Sequence, residues 1–154
     1  MTHHEQGGIP PELLRQTTNS SGFLQLLGMQ VDTASSGVGR MHIQVDDHLM
    51  HPHQVVHGGV IFALADTTMA LALLSVLPAG TRTSTIEAKI NFFLPVLTGE
   101  LLAEAMIVHQ GRSTAVLEAK VYNIHEGERR NIACMLGTFS ISRPKSAESA
   151  GERS

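Results

Sequence analysis

Residues 58–77, GGVIFALADTTMALALLSVL, decide how this chain folds. The stretch is apolar on nearly every side, and Pro78 and Gly80 stop it. A helix that is apolar all round is normally enclosed by other structure. From Val60 to Leu77 the run approaches the length of a membrane span, yet Asp66 lies near its middle beside Thr67 and Thr68. A charge at that depth is costly in lipid, so the stretch reads as the buried helix of a soluble protein.

On both sides of this helix the residue period changes to two. Upstream, Met41, Ile43 and Val45 alternate with Arg40, His42 and Gln44 after a turn at Ser36 and Gly37, as in a half-buried strand. Before that turn, Ser20 and Ser21 are placed to cap a short helix through Leu27, Gly28 to end it, and a further strand to follow. Downstream, Ile86, Ala88, Ile90 and Phe92 alternate with Glu87, Lys89, Asn91 and Phe93. After the Thr98-Gly99 turn come Leu101, Ala103, Ala105 and Ile107, then Leu117, Ala119 and Val121, then a last strand near residues 131–142. Two strands, one long helix and four strands predict an α+β domain, an antiparallel sheet of about six strands in meander-like order curled around one central helix.

The whole chain has the size of one domain: 154 residues, 42% hydrophobic and 16% charged. The expected layout is a mobile tail over 1–19, a compact domain over 20–143 and a mobile tail over 144–154. A net charge of -3, with 11 basic residues spread along the chain, offers no stripe that would track a nucleic acid, so no nucleic-acid partner is expected. The single cysteine, Cys134, permits no internal disulfide, and the polar start of the chain lacks the layout of a secretory signal. A cytoplasmic protein without a membrane partner is the expectation.

Asp66 is the residue that asks for a chemical explanation. An ionised carboxylate in an apolar helix carries a desolvation cost of several kcal/mol unless something compensates it. A subunit interface, or bonds from hydroxyls near Thr67 and Thr68, would be the plain explanation. Just upstream, however, His57-Gly58-Gly59 marks the point where loop becomes helix. Glycine allows close backbone approach, and the first amides of a helix point outward, unpaired, at the positive end of the dipole, where they can hold an oxyanion. Asp66 follows Gly58 by eight residues, about 12 Å along a helix axis. That is far for one reacting carbonyl. A second subunit whose helix runs antiparallel would bring one chain's Gly58 to the other's Asp66, so a site shared across a dimer is the geometric expectation.

The string HPHQVVHGGVIFALADTTMALAL, residues 51–73, resembles the signature of hotdog-fold acyl-CoA thioesterases of the phenylacetate-degradation type, related to 4-hydroxybenzoyl-CoA thioesterase of the Glu-dependent branch. The His-Gly-Gly, the apolar spacer and an acid nine residues after the histidine stand at the family spacing, and the resemblance covers about Gly22 to Ser142. It implies that Asp66 acts as nucleophile or general base, that the Gly58 amide binds the thioester oxygen, and that His57 shapes the turn. The family often places an asparagine six residues before that histidine as a second donor. This chain has His51 there, with Gln54 closer by. Either replaces the amide, or the second donor is missing and activity is weakened. Thr85, or Ser84 beside it, resembles the hydroxyl that positions the attacking water.

The segment HQGRSTAVLEAKV, residues 109–121, resembles the part of the family that faces the coenzyme A nucleotide. This implies phosphate binding by Arg112 and nucleotide contacts from Ser113 and Thr114, in competition with a plain solvated turn. The resemblance also implies an acyl-CoA substrate, no cofactor beyond the coenzyme A carried by that substrate, and a homodimer or a dimer-of-dimers tetramer. His48, His51, His53 and His57 cluster in one loop, but their spacing matches no metal signature, and no metal is expected. Met69, Leu71, Leu73 and Leu74 read as core before acyl-pocket lining. The rival readings are a non-catalytic acyl-CoA sensor, against which the lack of an appended DNA-binding helix pair counts, and a 3-hydroxyacyl thioester dehydratase, whose His and Asp arrangement is not found.

Overall fold

The computed structural model describes residues 8–144. Six strands form one antiparallel sheet: β1 (Gln30–Ser35), β2 (Val38–Gln44), β3 (Arg82–Phe92), β4 (Glu100–Gln110), β5 (Thr114–His125) and β6 (Glu128–Ser142). Helix α1 (Pro11–Asn19) and the short α2 (Gly22–Leu26) precede them, and α3 (Gly58–Leu74) lies between β2 and β3. This is the α+β hotdog arrangement, a sheet wrapped on one long helix.

The order across the sheet is β1-β2-β4-β5-β6-β3, which departs from a plain meander at one strand. Helix α3 crosses the concave face and delivers β3 to the far edge, where it pairs with β6 alone, while residues 93–99 return the chain so that β4 pairs with β2. The period-two pattern could not reveal this, because each face of β3 keeps its alternation whichever neighbour it has. At Thr85/Glu87 the register slips by a bulge, and Ile86, which the alternation put inside, is 57% exposed.

The core lies between α3 and the sheet. Leu64, Met69 and Leu73 of the helix meet Met41, Ile43, Leu101, Leu117 and Phe139 of the strands, all under 2% exposed. The helix approaches β2 so closely that a Cβ on Gly39 would stand 2.6 Å from the Thr68 carbonyl oxygen, which is why that strand position holds glycine. Gly28 follows α2 with φ 69, the left-handed conformation expected of a helix-ending glycine. Ser21 takes the N-cap position of α2, although its hydroxyl makes no capping bond.

Two expectations are corrected. Residues 11–19, read as part of a mobile tail, form α1 instead. Pro11 suits the first helical position, and Leu14 and Thr18, one turn apart, are buried on the side that packs on β1. Residues 1–7 of that tail and the residues from 145 onward lie outside the described residues. The all-apolar helix is also not enclosed all round: Phe62, Ala63, Asp66, Thr67, Ala70 and Leu74 form a stripe at helical spacing that the chain's own sheet leaves partly uncovered. Among the described residues no helix is long and apolar enough to cross a membrane.

Candidate active site

The uncovered stripe of α3 carries Asp66, and β3 supplies its partner. The Thr85 hydroxyl donates to Asp66 Oδ1 at 2.8 Å. Thr67 and Thr68, the neighbouring hydroxyls, are not its donors; Thr68 bonds back to the Leu64 carbonyl at 2.6 Å inside the helix. Burial pushes the Asp66 carboxyl above its ordinary pKa, and the Thr85 bond offsets part of that shift by favouring the charged form. Of the two hydroxyls open on sequence grounds, Thr85 faces the helix, since its register partner is the buried Phe139. Ser84 pairs with Ser140 and points to the opposite face.

At the other end of the stripe, His57 is the N-cap of α3. Its Nδ1 accepts the Gly59 N–H at 2.9 Å, and its carbonyl accepts the Val60 N–H at 2.9 Å. An accepting ring nitrogen is unprotonated, so neutral His57 carries its proton on Nε2. The first helical amide differs: among the described residues the Gly58 N–H has no hydrogen-bond partner. One open donor at the positive end of a 17-residue helix is a place where negative charge is stabilised.

Gly58 abuts the end of β3. A Cβ there would lie 3.2 Å from Phe92 Cζ, and the residues around the contact, Val56, Ile61, Phe92, Phe93, Leu94 and Val96, line an apolar cleft of about 280 Å³. Sequence reading missed this cleft. Its trace is the break in alternation at Phe92-Phe93-Leu94, where three apolar residues run together and remain about half exposed. A larger cleft of about 460 Å³ lies on the convex face, but its Arg40 and Glu104 are ion-paired and Asp66 is on the other side of the sheet.

Asp66 and Gly58 are not brought together within one chain. Eight residues apart on α3, they lie about 12 Å from each other along the helix axis, Asp66 against Thr85 and Gly58 against Phe92 near opposite ends of β3. His51 is half-buried, its ring centroid 5.7 Å from that of His57, and its Nδ1 accepts the His53 N–H at 3.2 Å. Gln54 is exposed in the turn, with φ 61 and its N–H donated to the His51 carbonyl. Arg112, Ser113 and Thr114 are exposed at the β4–β5 turn, on the strand ends nearest Thr85 and Ser84. Among the described residues no group of His, Cys, Asp or Glu is arranged to hold a metal.

The fold and this arrangement define a hotdog protein with a carboxylate on the central helix and an open amide at the helix start. Residues 53–129 match the family model described as the thioesterase superfamily, and the chain belongs to that superfamily. It is 30% identical to a putative esterase of Halobacterium salinarum over 85% of this chain and 91% of that one. It is 32% identical to the acyl-coenzyme A thioesterase PaaI of Escherichia coli over 63% of this chain and 68% of the relative. A crystal structure of a thioesterase family protein from Silicibacter pomeroyi superposes with a TM-score of 0.80 at 26% identity, covering 85% of this chain and 96% of that one.

Proposed function

We propose that the protein hydrolyses acyl-coenzyme A thioesters to the free acid and coenzyme A, at a site shared by two copies of the chain. The observation that carries this reading is a half-buried carboxylate, Asp66, oriented by Thr85, on the same exposed stripe as an open helix-terminal amide at Gly58. The Gly58 N–H, backed by the helix dipole, polarises the thioester carbonyl and stabilises the oxyanion. Asp66 either takes a proton from water as that water attacks, or attacks the carbonyl itself to give a mixed anhydride that water then opens. Either route breaks the C–S bond, forms a C–O bond and releases the thiol. A carboxyl whose pKa is raised is the stronger base for the first route. The acyl group lies in the apolar cleft beside Gly58, with His51 or Gln54 as second donor to the oxygen. Arg112, Ser113 and Thr114 contact the nucleotide, and the coenzyme A of the substrate is the sole cofactor required.

The shared site follows from the edge of the sheet. β3 spans 11 residues, pairs on one side only, and carries exposed Ile86 and Phe92 next to the uncovered stripe of α3. Such an edge invites another strand. Two β3 strands paired antiparallel about Lys89, with the bulge at Thr85/Glu87 taking up one residue, put residue 85 opposite residue 92 of the other copy, so the second chain's Gly58 comes beside the first chain's Asp66. The homodimer, alone or doubled into a tetramer, is therefore the working form, and it acts in the cytoplasm.

Free-thiol release from short, long and aryl acyl-CoAs, compared for wild type and Asp66→Asn, tests the chemistry. Equal rates would remove Asp66 from it. Mixing Asp66→Asn with Gly58→Pro chains tests the sharing. Heterodimers hold one intact site, so about a quarter of the wild-type activity should return in a two-fold assembly, and no recovery would place both residues of a site in one chain.

A further inference from the structure

The cleft beside Gly58 is uniform in its chemistry, and that uniformity restricts what can enter it. Every side chain that lines it is hydrocarbon: valine, isoleucine, leucine, proline and two phenylalanines, with Gly58 itself among them. The backbone adds little that could hold a polar group. The Val56 N–H donates to the Val96 carbonyl and the Phe93 N–H to the Ile132 carbonyl, each at 2.8 Å. The Leu94 N–H reaches that same Ile132 carbonyl at 3.4 Å, and Pro95 has no N–H to offer. The Gly58 N–H, by contrast, has no partner among the described residues. Polar recognition is thus concentrated at the one point where a thioester oxygen would be held.

Phe92 sets the path away from that point. Its ring meets Gly58 end on: a Cβ on Gly58 would lie 3.2 Å from Phe92 Cζ, 3.5 Å from Cε1 and 3.7 Å from Cε2. The ring is about half exposed, so one side of it is a free wall. An acyl chain leaving a carbonyl held at the Gly58 N–H runs along this wall. Size bounds its length. An apolar cavity of about 150 Å³ takes a benzene-sized molecule, so a cleft of about 280 Å³ holds roughly eleven carbons at most. Polarity bounds its composition. A hydroxyl or carboxylate on the chain would give up its water and find no partner among these side chains.

Resting on the thioesterase reading of the site, we infer that the substrates are thioesters of unsubstituted hydrocarbon acids of roughly six to ten carbons, and that the Phe92 ring sets their upper length. Phe92 is a specificity residue: it touches the part of the substrate that does not react.

The test measures kcat/KM on the full chain for acetyl, butyryl, hexanoyl, octanoyl, decanoyl and palmitoyl thioesters of coenzyme A, with ω-hydroxyoctanoyl and octanedioyl thioesters as polar counterparts. In wild type kcat/KM should rise roughly 3- to 4-fold per methylene from butyryl to octanoyl, level off near decanoyl and fall for palmitoyl. The ω-hydroxyl should cost roughly 30- to 100-fold against octanoyl, and the carboxylate more. Phe92→Ala should move the optimum to chains longer by roughly two to four carbons, and Phe92→Trp to shorter ones. Opposite shifts mark a wall of the site, since a merely structural loss lowers every chain length together. A flat profile in wild type, a rise continuing through palmitoyl, or octanedioyl matching octanoyl would overturn the inference while leaving the hydrolase intact. A flat profile is also the outcome if a second copy of the chain fills the cleft. An unmoved optimum in both variants would remove Phe92 from its role. Should wild type release no thiol from any thioester, the hydrolytic reading falls, and calorimetric titration with the thioethers S-butyl-, S-octyl- and S-hexadecyl-coenzyme A decides the cleft: tightest binding of the octyl compound supports it, and equal affinities refute it.

Discussion

Replacing Asp66 by Asn should cost activity and increase stability at the same time. Asn keeps an oxygen where the Thr85 hydroxyl donates at 2.8 Å, so the geometry of the stripe survives and the charge alone is removed. Loss of a general base lowers the rate by about 10²- to 10⁴-fold, equivalent to roughly 3–5 kcal/mol of barrier. Stability moves the other way because burial outweighs the Thr85 bond and raises the folded-state pKa above its ordinary 3.8. Between 3.8 and the raised value the folded chain binds more protons than the unfolded one, so stability falls as pH rises through that window. Below the window the carboxyl is neutral in both states and the penalty is absent. Asn has no such dependence. At pH 7.5 Asp66→Asn should therefore be the more stable protein, with a Tm above that of wild type. The gain should shrink toward zero on acidification below the window. Thermal melts across pH beside thiol-release assays measure both effects. A variant that keeps full activity, or that melts below wild type at pH 7.5, would refute the reasoning.

Further outcomes follow from other contacts. Thr85→Val removes the bond that holds the Asp66 pKa down, so the acid limb of the pH profile of kcat/KM should move to higher pH while kcat falls. Gly39→Ala sets a Cβ 2.6 Å from the Thr68 carbonyl oxygen, a backbone atom that moves only with α3, and urea titration should show a loss of about 1–3 kcal/mol or more. His57→Ala loses the cap on Gly59 N–H and should cost ~1 kcal/mol in the same assay, whereas His57→Asn, which can still cap, should cost less. Leu64→Ala opens a cavity at a fully buried position and should cost about 3–5 kcal/mol.

What the sequence makes legible is what is local along the chain. Periods of two and of 3.6 reveal the strands and the central helix, because burial on one face leaves its mark at fixed spacing. His57-Gly58-Gly59 shows the helix start in the same way, since a capping side chain and two glycines are needed where loop becomes helix. Three features are less visible. α1 is hidden in a stretch with the composition of a tail because its buried side rests on only Leu14 and Thr18, too few positions to give a period against a polar background. The place of β3 beside β6 is non-local, and nothing in its own alternation names its neighbour. The partner of Asp66 is hidden for the same reason: Thr85 lies 19 residues away and meets it because α3 crosses the sheet and hands the chain to the far edge. That crossing also separates Asp66 from Gly58 along β3 while leaving both on an open stripe and the strand edge unpaired. An edge strand, a bare apolar stripe and two half-sites at opposite ends of it are together the grounds for the proposed second copy related by a two-fold axis.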